Sequence, residues 1–172
     1  MIKYMIPVPQ VRSLYCPVEK VGSTFWQRFI YMIQKSSPRK RKYSHPFEVD
    51  INLALVHRPK PLYRAKPRDF KNDFKLMFVR DPYKRIASAF VDKLLAPNPL
   101  FWKLIGRSAI EKFRGVDKNR KCFHDVTFSE FLQFVVWAEK SRRELDAHFQ
   151  VATEVCVPCT MKYDYIGKYK IV

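Results

Sequence analysis

Apolar and polar positions alternate at residues 14–18, where Leu14, Cys16 and Val18 are separated by Tyr15 and Pro17, and this period of two predicts a strand. Phe25, Trp26, Phe29, Ile30 and Ile33 then recur at helical spacing, with Ser23 or Thr24 available to cap the helix. The same transition returns downstream. Leu76 to Val79 is a short apolar run typical of a central strand, Asp81 is an N-cap with Pro82 in the first helical position, and Ile86, Ala87, Phe90, Val91 and Leu94 continue as a helix that Ala96-Pro97-Asn98-Pro99 ends. Leu100 to Ile110 predicts a further helix before the polar stretch 115–125. Thr127-Phe128-Ser129-Glu130 is a capping box ahead of Phe131, Leu132, Val135 and Val136, and Tyr163 to Tyr169 reads as a last strand. Strands alternating with helices predict an α/β fold with a mainly parallel central sheet flanked by helices. Ligands of such sheets bind beyond the carboxyl ends of the strands, where both strand-to-helix turns lie.

Each turn has the chemistry of an anion site. In Lys20-Val21-Gly22-Ser23-Thr24, Gly22 lets the backbone approach an anion, the unpaired N–H groups of the following helix point at it, and Lys20 adds a full charge. This is not a Walker A loop, in which Lys and Ser/Thr follow the last glycine; here the lysine comes first. In the second turn Arg80 offers a forked donor, with Lys84, Arg85 and Ser88 as further donors close in sequence. Together the two turns predict a site for a ligand with two phosphates.

Composition narrows the partners. The 172 residues, 47% hydrophobic and 15% aromatic, suffice for one sizeable core and a single domain. Lys and Arg outnumber Asp and Glu by 33 to 16, a formal net charge of +17, so a polyanion is expected: nucleic acid, an anionic polysaccharide or a membrane surface. Much of the charge falls in two segments that read as solvated basic loops, Ser36 to Lys42 and the proline-rich His57 to Lys71; a nuclear-localisation tract is the alternative for Pro38 to Lys42. The longest apolar candidate, Phe131 to Ala138, is far short of a membrane span, and no signal peptide is visible. Cys156 and Cys159 have the spacing of a zinc half-site or redox pair, but no finger-like second half accompanies them. Disulfides or buried thiols are the favoured reading of the four cysteines, with the pairing open.

Three segments resemble the membrane-anchored Golgi carbohydrate sulfotransferases, which include the chondroitin, dermatan, HNK-1 and N-acetylgalactosamine 4-O-sulfotransferases. Tyr15 to Trp26 is similar to their loop for the 5'-phosphosulfate of 3'-phosphoadenosine 5'-phosphosulfate, and Phe78 to Phe90 to their 3'-phosphate loop. Asp146-Ala147-His148-Phe149, Val155 to Cys159 and Tyr163 to Tyr169 resemble the C-terminal signature. Three departures are Glu19 where proline is usual, Phe149 where tryptophan usually follows the histidine, and Lys170 where an acidic residue is common.

The resemblance implies a P-loop-like sulfotransferase fold and sulfuryl transfer from that donor to a hydroxyl of an anionic glycan, without a metal and without nucleic acid as partner. Donor contacts would come from Lys20, Val21, Gly22, Ser23, Thr24, Phe25 and Trp26, and from Arg80, Asp81, Pro82, Lys84, Arg85 and Ser88. Lys20 would also stabilise the leaving phosphate, and His148 would be the base, with His57 the weaker candidate. Asp146, two residues before His148, orients the imidazole if the local backbone is extended, a surface carboxylate being the commoner outcome for such a residue. It further implies a Golgi-lumen enzyme held by a type II anchor that this chain does not show, and a single sulfotransferase domain over residues 1–172 truncated at one or both ends. A non-catalytic glycan- or nucleotide-binding descendant, a P-loop kinase and a basic nucleic-acid-binding protein are the rival readings. The last lacks any reader motif, and the kinase lacks magnesium ligands and the Walker lysine.

Overall fold

The computed structural model describes residues 4–35, 43–57 and 70–169. The basic tract 36–42, nearly all of the basic loop 57–71 with Tyr63, and Lys170 lie outside the described residues. The chain forms two compact units, Met1–Arg80 with Val151–Val172, and Asp81–Gln150.

The first unit is built on a four-stranded sheet in the order β1 (Ile6–Val8), β2 (Ser13–Cys16), β3 (Phe74–Val79), β4 (Tyr165–Lys168). β2, β3 and β4 are parallel, as the alternation of strands and helices predicts, whereas β1 runs antiparallel to β2 as a short hairpin edge. Period-two alternation gives the sheet two buried faces. On one, Tyr15, Leu76 and Phe78 pack with Ile30 and Trp26 of α1 (Ser23–Lys35); on the other, Leu14, Cys16 and Met77 pack with Val155 and Cys156 of α7 (Ala152–Cys156) and with Met161. β4 lies close because Gly167 pairs with Phe78, whose ring fills the space that a Cβ would need, 2.3 Å away. A short helix unmarked by the hydrophobic period, α2 (Ile51–Val56), is capped by Asp50, whose Oδ1 accepts from the amides of Asn52 (2.9 Å) and Leu53 (3.1 Å).

The second unit is helical. α3 (Pro82–Phe90) has the expected cap, with the Asp81 carboxylate accepting from the Lys84 amide at 2.9 Å and Pro82 in the first turn. It widens into a π-type turn at Val91–Leu95, where the Trp102 indole N–H donates to the Leu94 carbonyl at 2.8 Å. The helix expected at 100–110 is present, running without a break through α4 (Pro99–Phe101), a second π-type segment (Trp102–Gly106) and α5 (Arg107–Arg114). α6 (Phe128–Lys140) starts on the expected capping box, both halves of which are formed. Phe90, Phe101, Ile110, Phe131, Phe134 and Phe149 are core residues of this unit. No helix among the described residues is long and apolar enough to cross a membrane.

Candidate active site

Both anion turns stand where the sheet places them, just past the carboxyl ends of β2 and β3. After Cys16 the chain folds back through Lys20, whose φ of +67° is unusual for a residue with a Cβ, and Gly22, at φ +83°. The Arg80 guanidinium donates from Nη1 to the Lys20 carbonyl at 3.2 Å, so residues 60 positions apart in sequence meet in one place. Tyr169, immediately after β4, completes the cluster. Its amide donates to the Val79 carbonyl at 2.7 Å, its ring lies 5.5 Å from the Arg80 guanidinium carbon, and its edge lies 3.2 Å from where a Gly22 Cβ would be. Tyr169 was not singled out in the sequence as a site residue; its position at the end of the C-terminal signature was the only mark.

The remaining predicted donor residues of the first unit divide by burial. Val21 is fully buried and Trp26 is half-buried, stacked on Phe78 with centroids 4.3 Å apart, so Val21 offers a ligand only its backbone. Phe25 packs against Trp26, Phe29 and Phe47. Thr24 is exposed at the start of α1, whereas Ser23 is buried and its hydroxyl donates to Glu19 Oε2 at 2.7 Å. Glu19, the departure from the family pattern, thus ties down the start of α1 and adds a negative charge beside Lys20 in the chain.

A disulfide links Cys16, at the end of β2, to Cys156 in α7, with Cα atoms 5.8 Å apart; Cys122 and Cys159 are exposed and unbridged. The pairing that the sequence leaves open is therefore not the Cys156–Cys159 one. Among the described residues no group of three or more His, Cys, Asp or Glu side chains is arranged as a metal site.

In the second unit Asp81, Pro82 and Lys84 are exposed at the start of α3 and Ser88 is half-buried one turn beyond Lys84. Arg85, the other expected donor contact, differs in its surroundings. It is buried, and its guanidinium donates to two backbone carbonyls, from Nη1 to Gln150 (2.8 Å) and from Nη2 to Ala147 (3.3 Å). Those carbonyls flank His148. The His148 Nδ1 lies 2.5 Å from Asp146 Oδ1, the same oxygen accepts from the His148 amide at 3.0 Å, and the imidazole meets the Phe101 ring edge-on at 5.6 Å. Burial alone would raise the Asp146 carboxyl, but the hydrogen bonds from the His148 ring and amide, with the charge of Lys93, hold it below the ordinary carboxylate range. The weaker candidate His57 is exposed at the end of α2, its ring 5.8 Å from that of Tyr31.

The sequence pattern of the Sulfotransferase family matches residues 5–172. The chain belongs to that family. Among curated proteins it is 28% identical to carbohydrate sulfotransferase 9 of Homo sapiens over 168 residues, which is 92% of this chain and 36% of the relative. It is 29% identical to carbohydrate sulfotransferase 11 of Rattus norvegicus over 178 aligned positions (98% of this chain, 49% of the relative) and 28% identical to carbohydrate sulfotransferase 14 of Danio rerio (99% and 45%). The chain thus spans roughly a third to a half of the length of these relatives. No solved structure matches it. For a sulfotransferase-family chain the cluster of Lys20, Gly22, Arg80 and Tyr169 is the informative feature, because it uses all three segments on which the resemblance rests.

Proposed function

We propose that this chain is the catalytic part of a carbohydrate sulfotransferase, moving a sulfuryl group from 3'-phosphoadenosine 5'-phosphosulfate to a hydroxyl of an anionic glycan of the glycosaminoglycan or N-acetylgalactosamine type. The observation that carries the reading is the Arg80 guanidinium on the Lys20 carbonyl, which brings two cationic loops together as a ligand phosphorylated at both ends requires. The open backbone at Gly22, the exposed start of α1 at Thr24 and the charge of Lys20 suit the 5'-phosphosulfate. Arg80, followed in the chain by the capped start of α3 with Lys84 and Ser88, suits the 3'-phosphate, which separates this donor from ordinary nucleotides.

In the transfer the bond from sulfur to the donor's phosphate oxygen breaks while the acceptor oxygen bonds to sulfur. The electron pair of the broken bond leaves on the phosphate, where Lys20 and the amides at 22–24 stabilise the charge. The acceptor's proton goes to His148 Nε2, with Asp146 holding the imidazole by Nδ1. The net charge of +17 suits an acceptor carrying carboxylates and sulfates. The Cys16–Cys156 disulfide favours an oxidising compartment, consistent with the Golgi lumen, and anchoring through a segment outside this chain completes the reading.

Transfer of labelled sulfate to desulfated chondroitin, dermatan and N-acetylgalactosamine-terminated acceptors tests the proposal. Wild type is expected to label at least one of them, and His148→Ala to lose turnover while keeping donor affinity. Full rate in His148→Ala would reject His148 as the base.

A further inference from the structure

We propose that Arg85 is a positioning residue that holds the turn carrying His148, and is not a ligand of the donor; this rests on the reading of His148 as the base. Arg85 sits in α3, three positions before Ser88, with its side chain buried. A guanidinium taken out of water is costly unless its N–H groups find acceptors, and here it finds the carbonyls of Ala147 and Gln150, on either side of His148. The fork spans acceptors three residues apart, which a planar group with several fixed donors does and a point charge does poorly.

The turn it grips also has short-range bonds of its own. The amides of Phe149 and Gln150 donate to the Asp146 carbonyl (2.8 and 3.1 Å), and the Gln150 side chain donates to the Leu145 carbonyl at 2.7 Å. Phe149 is anchored in the core against Phe101 and Phe131. These bonds shape the turn, while Arg85 ties two of its carbonyls to α3. Removing it takes the donors from the Ala147 and Gln150 carbonyls and lets the His148 backbone shift. A displacement of about 1 Å at a base costs on the order of a hundredfold in rate.

The test compares Arg85→Lys and Arg85→Met with wild type and His148→Ala in the full chain. Calorimetric Kd for 3'-phosphoadenosine 5'-phosphate, kcat and KM from labelled-sulfate transfer, thermal melts and amide hydrogen exchange over residues 146–150 are measured. The expected result is a Kd within about twofold of wild type, a kcat lowered about tenfold or more with donor KM unchanged, and faster exchange confined to 146–150 while α6 stays protected. The lysine variant guards against a methionine variant that does not fold. A Kd weakened tenfold in a folded variant would make Arg85 a donor ligand and overturn the proposal, as would an unchanged kcat. If His148→Ala alone keeps full rate, the base reading falls and takes this role with it. If His148→Ala is inactive but both folded Arg85 variants turn over normally, only the positioning role falls.

Discussion

At the scale of single residues the site depends on backbone that only certain side chains permit. Gly22 holds φ +83° with the Tyr169 ring 3.2 Å from where a Cβ would lie. Gly22→Ala is therefore expected to cost about 1–2 kcal/mol in backbone strain alone and to weaken donor binding, read by thermal melt and by titration with 3'-phosphoadenosine 5'-phosphate. Tyr169→Ala leaves that backbone unstrained but removes the ring beside Arg80, so donor affinity should fall with little loss of stability. Glu19 works the other way: it accepts from Ser23, yet sets a negative charge in the loop proposed to hold the 5'-phosphosulfate. Glu19→Gln keeps an acceptor and removes the charge, and should tighten donor binding roughly two- to fivefold, an effect of about 1 kcal/mol or less. A weaker donor affinity in that variant would show that the charge is needed to hold the loop. The two strand-to-helix turns were legible from sequence because a glycine at the first, an Asp-Pro cap at the second and the helix starts mark them locally. The inward turn of Arg85 was not, because its acceptors lie 62 and 65 positions away.

At the scale of elements, caps and ion pairs fix where helices begin and where loops return. Thr127 caps α6 through its side chain, and Thr127→Ala should cost about 1 kcal/mol by chemical denaturation. The loop before α6 is pinned by Arg114, which bonds both Asp125 and Glu130, and by Arg120, which bonds Asp125. The hydrogen bond from Arg120 holds the Asp125 carboxyl down to about 2, and that from Arg114 holds Glu130 down to about 2. Both folded values are depressed, so the stabilisation is complete above the ordinary carboxylate range and is lost as pH falls from about 4.5 toward 2. Exposure to solvent screens these pairs and keeps the effect small. Acid melts of Asp125→Asn should show a shallower loss over that window than wild type. Periodicity located α1, α3 and α6 because each has one long apolar stripe. It missed β1, only three residues long, and α2, whose sole mark is the Asp50 cap. The helices expected at 86–94 and 100–110 are present, and only their widening to π-type hydrogen bonding at 91–95 and 102–106 was not legible, because it has no period of its own.

At the scale of the whole molecule, a parallel sheet collects distant segments at the carboxyl ends of its strands. β2, β3 and β4 are drawn from residues 13–168, yet Lys20, Arg80 and Tyr169, which follow them, form one cluster. The alternation of strand and helix made that convergence foreseeable. The partner of Cys16 was not, because the bridge closes 140 residues and depends on α7 packing over the sheet. Cys156→Ser is expected to destabilise the protein by about 2–5 kcal/mol, read by denaturant unfolding under oxidising conditions. The central claim is that one bisphosphorylated nucleotide is gripped by both loops. Its most direct measurement is calorimetric titration with 3'-phosphoadenosine 5'-phosphate and with ATP, on wild type, Lys20→Ala and Arg80→Ala. The account predicts preference for the bisphosphate in wild type, with affinity for it lost in both variants. Equal affinity for the two nucleotides, or bisphosphate binding that survives either substitution, would contradict it.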